Sequence, residues 1–184
     1  LVQIGAQVSV ERGLGAAAGF SDKEYQAAGA SLVDDRSALL ASAQMVLRVR
    51  KPELADIELL QPGCIHVSFL DPFNETAIID AMRERNISAI SMEMIPRSTR
   101  SQKMDALSSQ ANLAGYVMAL KAATYLPSIL PMMMTPAGTL KPAKVFVIGA
   151  GVAGLQAIAT AKRLGAQVTA FDTRSEVAEQ VHSV

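Results

Sequence analysis

The sequence has little of what marks disulfide-rich or nucleic-acid-binding proteins. Its 184 residues include a single cysteine, Cys64, so no disulfide can form within the chain and a reducing compartment is favoured. Tryptophan is absent and aromatic residues make up only 4%. Basic and acidic residues both number 17, which gives no net charge. This balance argues against nucleic acid or an anionic membrane surface as the main partner.

Long apolar runs are also missing. Residues 145–161 are apolar, but they fall short of the roughly 20 residues that cross a bilayer, and three glycines interrupt them. Residues 126–134 are shorter still and contain two prolines. The chain shows no basic start followed by an apolar core and a small-residue cleavage site. The sequence therefore predicts neither a transmembrane segment nor a signal peptide.

What is present is an α/β pattern. Half of the residues are hydrophobic, and short β-branched runs alternate with helical patterns. Such alternation predicts parallel sheets flanked by helices. The predicted strands are 7–11, 44–50, 64–70, 87–95, 144–148 and 167–171. The predicted helices are 22–29, 35–42, 53–60, 74–85, 102–126, 152–164 and 175–182.

The proline-rich segment 127–143 is the predicted boundary between two domains. Residues 1–126 are expected to form an N-terminal α/β domain that ends in the helix 102–126, and residues 144–184 to begin a second domain. The fold class is thus α/β, with two Rossmann-like parallel-sheet domains, a cleft between them, and the second domain incomplete. The sequence IGAQV at 4–8 is echoed by LGAQV at 164–168, and in both a glycine is expected to end a helix before a strand. The chain is accordingly interpreted as a fragment.

The strongest motif is a glycine-rich turn between a predicted strand and a predicted helix. Gly149, Gly151 and Gly154 follow the apolar run 144–148 in a GxGxxG pattern, and Asp172 ends the next predicted strand 18 residues after Gly154. This context is typical of dinucleotide binding: the glycines admit the pyrophosphate and the carboxylate holds ribose hydroxyls. The alternative is a glycine-bearing turn that binds nothing.

Asp172 also indicates which nucleotide is bound. A carboxylate at this position accepts hydrogen bonds from a ribose 2′-hydroxyl and repels a 2′-phosphate, which favours NAD(H) over NADP(H). Arg174 weakens the inference, because an arginine two residues later could receive a phosphate or could instead pair with Asp172 or with a neighbouring carboxylate.

A second polar stretch lies upstream, at 97–112. Asp105, Ser108, Ser109 and Asn112 fall on one side of the predicted helix. Thr99 and Gln102 have the spacing of a capping box, which would explain only the start of the stretch. The residues alone leave open whether this is a capped helix or a binding site.

Several motifs of the chain resemble one family. They are PRSTRSQKMDALSSQANLAGY at 96–116, VIGAGVAG at 147–154, FDTR at 171–174, LQPG at 60–63 and VSFL at 67–70. Together they are similar to the NAD(H)-binding component of proton-translocating nicotinamide nucleotide transhydrogenase. The match covers nearly the whole chain in order.

The resemblance implies a bound NAD(H) and assigns residues to it. The loop 97–105 is expected to fold over the nicotinamide end of the nucleotide, with Gln102 and Asp105 in orienting roles next to the reaction. The implied nucleotide-binding residues are Arg97, Ser98, Thr99, Gln102, Asp105, Ser108, Gly149, Gly151, Val152, Gly154, Asp172, Thr173 and Arg174. No metal site is expected.

The resemblance further implies an activity and partners. Hydride is expected to pass from NADH on this chain to NADP⁺ on a partner domain, coupled elsewhere to proton movement. The implied partners are NADP(H)-binding and membrane-spanning components and a second copy of the chain, with no nucleic acid. The implied location is peripheral, on the cytoplasmic face of a bacterial inner membrane or the matrix side of the mitochondrial one.

Two other functions stay open. Alanine dehydrogenase resembles transhydrogenase in both domains, but it needs a histidine where this chain has Asp71, while His66 falls inside a predicted strand. An aspartate there suits the proton relay of amine oxidation poorly. A non-catalytic NAD-binding module is the remaining alternative, and it need not expose the nicotinamide to a second protein. Cys64 and His182 have no expected role in catalysis.

Overall fold

Parallel strand pairs form the framework of both parts of the chain. A computed structural model describes residues 1–184, which divide into two compact units, Leu1–Ile95 and Pro96–Val184. In the first unit the strands are β1 (Ser9–Glu11), β2 (Ser31–Val33), β3 (Met45–Leu47), β4 (Ile65–Ser68) and β5 (Ser88–Ser91). Its helices are α1 (Asp22–Ala27), α2 (Arg36–Ser42), α3 (Leu54–Leu59) and α4 (Thr76–Glu84).

The first unit contains a three-stranded parallel sheet in the order β3-β4-β5 and a separate parallel pair, β1-β2. Apolar residues of α2, α3 and α4 cover one face of the larger sheet. Their core is a buried cluster of Leu40, Ile57, Leu60, Cys64, Leu70, Ile78, Met82 and Ile87, with Val46 packed against it. Val46 pairs with His66 in the β3–β4 register, so His66 and Ser68 face the same helical layer. Both are fully buried.

A chain of ion pairs runs beside this core. Asp56 lies between two arginines, with its Oδ2 atom 2.6 Å from Arg48 Nη1 and 2.8 Å from Arg36 Nη2. Arg36 also pairs with Glu11 on β1. The pairs therefore connect β1, α2, α3 and β3.

The second unit begins with the long helix and ends with a β-α-β unit. Its elements are α5 (Ala106–Tyr125), β6 (Met133–Thr135), β7 (Gly138–Leu140), β8 (Lys144–Ile148), α6 (Val152–Arg163), β9 (Gln167–Phe171) and α7 (Ala178–Ser183). β6 and β7 form an antiparallel hairpin, and β8 and β9 are parallel in the register Lys144↔Gln167 to Ile148↔Phe171. Short 3₁₀ turns cover Val2–Ile4, Ala16–Ala18, Met92–Met94, Thr99–Met104 and Ser175–Val177.

Helices α5 and α6 lie side by side and run in the same direction. A side chain at Gly115 would meet the backbone of Ala153, and eight residues later Ala123 packs against the cluster that contains Ala161. The half-buried and buried positions of α5 are Ala106, Ser108, Ala111, Gly115, Ala119 and Ala123. Helical spacing in the sequence predicts an apolar stripe through Met104, Leu107, Ala111, Ala114 and Met118. That prediction is wrong except at Ala111, because the other four side chains are exposed and small residues form the packed face.

The predicted α/β class with parallel sheets is confirmed. All six predicted strands are present, although in the first unit they are shorter than predicted, and 144–148 and 167–171 agree at both ends. The sequence prediction missed β2 and the hairpin, which lies inside 127–143. The helix predicted at 102–126 starts at Ala106, after the 3₁₀ turn Thr99–Met104. The division into 1–126, a linker 127–143 and 144–184 stays a prediction; in the contacts, α5 belongs with the second unit.

The two glycines predicted to end helices do so. Gly5 and Gly165 both adopt a left-handed backbone with φ 89°, each directly before a segment that leads into a strand. At Gly165 a Cβ atom would also come within 2.7 Å of Pro131 Cβ. The base of the hairpin therefore lies at the carboxyl end of α6, away from its N-terminus.

Candidate nucleotide-binding site

The glycine turn has the backbone geometry that the motif predicts. Gly149 follows β8 with φ 90°, a conformation that residues with a side chain rarely adopt. Its N–H donates to the carbonyl oxygen of Phe171 at 2.7 Å, which joins the turn to the end of β9. At Gly154 a Cβ atom would lie 1.8 Å from the carbonyl oxygen of Gly149. The turn and the helix can therefore approach this closely only when residue 154 is glycine.

No side chain caps the N-terminus of helix α6. Gly151 is the N-cap residue and makes no side-chain capping hydrogen bond, and the first turn contains no acidic residue. The first N–H groups of any helix have no intrahelical partner, and here no capping side chain accepts from them. The helix dipole also places partial positive charge there. These are the features of a helix N-terminus that binds phosphate. Gly149, Gly151, Val152 and Gly154 therefore fit the predicted pyrophosphate site.

The Asp172 carboxylate lies beside this turn at the end of β9. Oδ2 accepts a hydrogen bond from the N–H of Ala150 at 2.7 Å, and Oδ1 accepts one from the N–H of Arg174 at 2.9 Å. The Arg174 guanidinium adds bonds of 3.1 Å to each oxygen. The Arg174 side chain, together with the two backbone N–H groups, holds the pKa of Asp172 well below its usual range, so the carboxylate is ionised at neutral pH.

The four donors occupy the acceptor positions of this carboxylate in the structure. The Asp172 side chain is 9% exposed, whereas that of Arg174 is 53% exposed and can move away. A ribose that hydrogen-bonds to Asp172 would replace the Arg174 side chain while the two backbone N–H groups stay. The pairing of Arg174 with Asp172 was one of the two roles left open from the sequence.

A cavity opens next to the carboxylate. Its volume is about 610 Å³. Its lining comes mainly from α6, β9 and α7, includes Ala150, Asp172 and Arg174, and does not include the glycines of the turn. This size falls within the usual range for small-molecule and cofactor sites. Thr173, also predicted to bind the nucleotide, is exposed beside it.

The loop 97–105 leads into α5 through an aspartate cap. Asp105 is the N-cap residue: its Oδ1 accepts from the N–H of Ser108 at 2.9 Å and its Oδ2 from the Ser108 hydroxyl at 2.6 Å. These bonds, with a smaller contribution from Arg97, lower the pKa of Asp105. The capping box considered for Thr99 and Gln102 does not cap α5, which starts four residues after Gln102.

The other predicted residues of this loop are exposed. Arg97, Ser98, Thr99 and Gln102 present their side chains to solvent, and the Ser98 hydroxyl donates to that of Ser101 at 3.1 Å. Since α5 and α6 run in the same direction, the loop before α5 and the glycine turn before α6 lie at the same end of the helix pair. The structure thus brings the two predicted halves of the nucleotide site to one end of the second unit.

Two residues of the first unit, Asp71 and His66, bear on the alanine dehydrogenase alternative. Asp71, at the position where the sequence predicts that an alanine dehydrogenase would have a histidine, has φ 51° and accepts a hydrogen bond from Asn74 at 2.8 Å. Glu93 bonds to the backbone N–H groups of Leu70 and Asp71 and thereby holds this turn. His66 is fully buried, with its Nδ1 3.5 Å from the Ser68 hydroxyl and no hydrogen bond to Nε2. Burial and the neighbouring Arg48 lower the pKa of His66 to about 4.

These observations define a class of protein. A β-α-β unit with a glycine turn, an uncapped helix N-terminus and an acidic residue at the end of the second strand makes this an α/β nucleotide-binding protein of the Rossmann type.

Comparison with known proteins narrows the class. The family models "Alanine dehydrogenase/PNT, N-terminal domain" and "Alanine dehydrogenase/PNT, C-terminal domain" match residues 1–114 and 118–184. The chain belongs to this family. Its resemblance to transhydrogenase, predicted from the motifs, is confirmed by the relatives.

Transhydrogenases are among the proteins that this chain is similar to. The NAD(P) transhydrogenase subunit alpha of Cereibacter sphaeroides is 44% identical over 184 residues, which are 100% of this chain and 35% of that protein. A crystal structure of transhydrogenase from Sinorhizobium meliloti matches with TM-score 0.94 and 46% identity, over 100% of this chain and 55% of that one. Alanine dehydrogenase of Mycobacterium tuberculosis is 29% identical, over 98% of this chain and 49% of that protein. The chain thus spans between 35% and 55% of the length of these relatives.

Two residues that contribute to the site were missed from the sequence. Ala150 binds Asp172 through its backbone N–H, which no side-chain pattern can show. Gly115 contacts the first turn of α6. The sequence could have indicated this contact, because glycine is unfavourable within a helix and its presence there suggests close packing.

Proposed function

We propose that this chain is the NAD(H)-binding part of a transhydrogenase that passes hydride from NADH to NADP⁺ on a partner domain. The observation that carries the proposal is the placement of the loop 97–105 at the same end of the α5–α6 pair as the glycine turn and Asp172. One end of NADH then has an anion-binding helix N-terminus and a ribose-binding carboxylate, and the other has a polar loop. Identity of 44–46% to transhydrogenases supports the same reading.

The chemistry of position 71 favours transhydrogenase over alanine dehydrogenase. Oxidising an amine to a keto acid requires a group that relays protons. Asp71 accepts a hydrogen bond from Asn74. His66 is fully buried and its pKa is lowered to about 4, so it is not placed to exchange protons with a substrate at neutral pH. Hydride transfer between two nicotinamides forms no alkoxide or amine, and it needs alignment and exclusion of water instead.

Each residue then has a role in binding or alignment. Bound NADH would supply the hydride. The N–H groups that open α6 would hold the pyrophosphate, and Asp172, with Thr173 and Arg174 beside it, would hold the adenosine ribose. Arg97, Ser98, Thr99, Gln102, Asp105 and Ser108 would hold the nicotinamide end, with Gln102 and Asp105 orienting the ring.

The partners follow from the same proposal. We propose NADP(H)-binding and membrane-spanning components as partners, a second copy of this chain as a dimer mate, and coupling of hydride transfer to proton translocation. The proposed place is peripheral, on the cytoplasmic face of a bacterial inner membrane or the mitochondrial matrix side. None of the helices in residues 1–184 has the length and hydropathy needed to cross a bilayer.

The test is a transfer assay. NADH oxidation by an NADP⁺ analogue is measured with and without a purified NADP-binding partner domain, and we expect oxidation only when the partner is present. Oxidation supported instead by pyruvate and ammonia would identify an alanine dehydrogenase. NADH binding without transfer to any acceptor would identify a binding module, and either result would overturn the proposal.

A further inference from the structure

Helix α5 touches the first turn of α6 at a position where there is no room for a side chain. A Cβ atom built on Gly115 would lie 2.1 Å from the carbonyl oxygen of Ala153 and 2.9 Å from its carbonyl carbon. Both are backbone atoms, so no side-chain rotation could relieve the overlap. Any residue other than glycine would force the two helices to shift.

Glycine is otherwise a poor choice at this position. Gly115 lies in the middle of the 20-residue helix α5, where glycine is less favourable than alanine by about 0.5–1 kcal/mol. The neighbouring positions on the same packed face, Ala111 and Ala119, carry alanine. Close contact with Ala153 is therefore the reason that the chain has no side chain at 115.

The first turn of α6 is also held from its other side. Gly154 lies against the carbonyl oxygen of Gly149 and near Val147 of β8. The turn that carries the phosphate-binding N–H groups thus has backbone contacts with both α5 and the glycine turn. It cannot adjust to a displaced α5 without moving the N–H groups.

We propose that Gly115 is a positioning residue that fixes the loop 97–105 relative to the phosphate-binding turn. Ten residues of α-helix, about 15 Å, separate Gly115 from the cap at Asp105, whereas Ala153 is only the second residue of α6, two residues after the N-cap Gly151. Because the two helices run in the same direction, a shift at their contact moves the loop and the turn relative to each other. The inference rests on the proposed function, since it concerns how the two halves of one nucleotide are held in register.

A small displacement is sufficient for a large effect on alignment. A misplacement of about 1 Å can reduce a reaction rate by about 10²-fold. Binding of the adenosine diphosphate half, which needs only the turn and Asp172, depends much less on the loop. Loss of register should therefore affect hydride transfer and NADH binding more than binding of ADP.

The experiment uses Gly115→Ala, with Lys121→Gln as the control at an exposed position of the same helix, where the two side chains have similar helix propensity. Melting temperature, ADP affinity, NADH affinity and the rate of hydride transfer to a partner domain are measured in the full chain. For Gly115→Ala we expect a lower melting temperature, ADP affinity within about threefold of the wild type, and transfer reduced by about tenfold or more. The control should match the wild type in all four.

The opposite sign of the stability change would overturn the inference. If Gly115 has no packing role, the better helix propensity of alanine raises the melting temperature and transfer is unchanged. A parallel loss of ADP affinity and transfer would indicate general destabilisation rather than positioning. If Gly115→Ala does not fold, Ala119→Ser on the same packed face is measured instead. It must lower NADH affinity more than ADP affinity, or the inference fails. A wild-type protein that binds ADP and NADH but transfers no hydride would count against the proposed function. The positioning by Gly115 would still be tested, by comparing the ADP and NADH affinities of the variant with those of the wild type.

Discussion

At position 172 one carboxylate accepts four hydrogen bonds, two from backbone N–H groups and two from Arg174. The backbone donors fix its orientation whether or not Arg174 stays. A carboxylate held in this way can accept from a ribose 2′-hydroxyl but repels a 2′-phosphate. The selectivity for NADH over NADPH should therefore depend on this residue.

We predict that wild-type protein binds NADH in preference to NADPH and that Asp172→Ala weakens the preference. Removing the carboxylate deletes both the acceptor for the hydroxyl and the repulsion of the phosphate. Affinities for the two nucleotides are measured by titration. Glu176→Ala, which removes an exposed carboxylate four residues away, is the matched control and should keep the preference. Equal affinities for NADH and NADPH in the wild type would refute the assignment.

The structure excludes one role for Gln102, that of a capping residue for helix α5. Asp105, not Thr99, caps α5, and the Gln102 side chain is exposed, so its loss should not destabilise the helix. We predict that Gln102→Asn lowers the rate of hydride transfer far more than NADH affinity. The shortened side chain withdraws its amide by about 1.5 Å, and a misplacement near 1 Å can cost about 10²-fold in rate. Such a loss of alignment alone reduces turnover and leaves binding nearly unchanged.

Rate, affinity and melting temperature are measured on one preparation of this variant. Lys103→Gln, at the exposed neighbouring position, serves as the control and should behave like the wild type. A Gln102→Asn protein that melts early but transfers hydride normally would show that the residue supports the fold and not the site.

Among the elements, the five-residue strands β8 and β9 were easier to predict than the three-residue strands. The strands β8 and β9 are β-branched runs bounded by the glycine turn and by Gly165, and both ends were predicted. The strand β2 has only three residues, and the hairpin β6–β7 lies among prolines and methionines that read as a linker. Local sequence patterns identify long elements and miss short ones that depend on their neighbours.

The same limit applies to the site. Glycine spacing and a terminal aspartate predicted the tight turn at Gly149 and the acidic residue beside it, because both depend on a local turn and the end of an adjacent strand. That these residues bind pyrophosphate and ribose stays a prediction. The start of α5 was misplaced because two sequences, Thr99 with Gln102 and Asp105 with Ser108, both resemble helix caps. The packed face of α5 was misplaced because alanine and glycine, not the larger methionines, face α6.

The loop 97–105 has the properties of an element that orders on binding. Its 3₁₀ turn makes no side-chain cap, no residue of Thr99–Met104 is buried, and its side chains are mainly polar. We predict that its amide hydrogens exchange rapidly in the free protein and become protected with NADH, whereas those of α5 beyond Ser109 change little. Hydrogen exchange followed by mass spectrometry measures both. ADP, which lacks the nicotinamide half, is the control and should leave the loop unprotected; equal protection with and without NADH would contradict the prediction.

The stability of the whole molecule should depend on pH because of one buried histidine, His66. His66 has no solvent exposure, its Nε2 has no hydrogen-bond partner, and the cation of Arg48 lies nearby, with Asp56 partly offsetting it. Burial is the largest cause that lowers the pKa of His66, from 6.5 to about 4. In the unfolded chain the imidazole takes up a proton near pH 6.5, while in the folded protein it stays neutral until about pH 4.

We therefore predict that the free energy of unfolding falls as pH is lowered from about 6.5 to about 4, by on the order of 3 kcal/mol from this residue. The sign follows from linkage: within this window the unfolded state binds more protons, so stability rises with pH. Below it, the lowered pKa values of Asp56 and Glu93 continue the loss as those carboxylates are protonated. Urea denaturation at a series of pH values measures the slope. His66→Leu should flatten the curve between pH 4.5 and 6.5 but leave the decline at lower pH, and the exposed His182→Gln should change neither; a slope in this window that survives His66→Leu would mean that another group carries it.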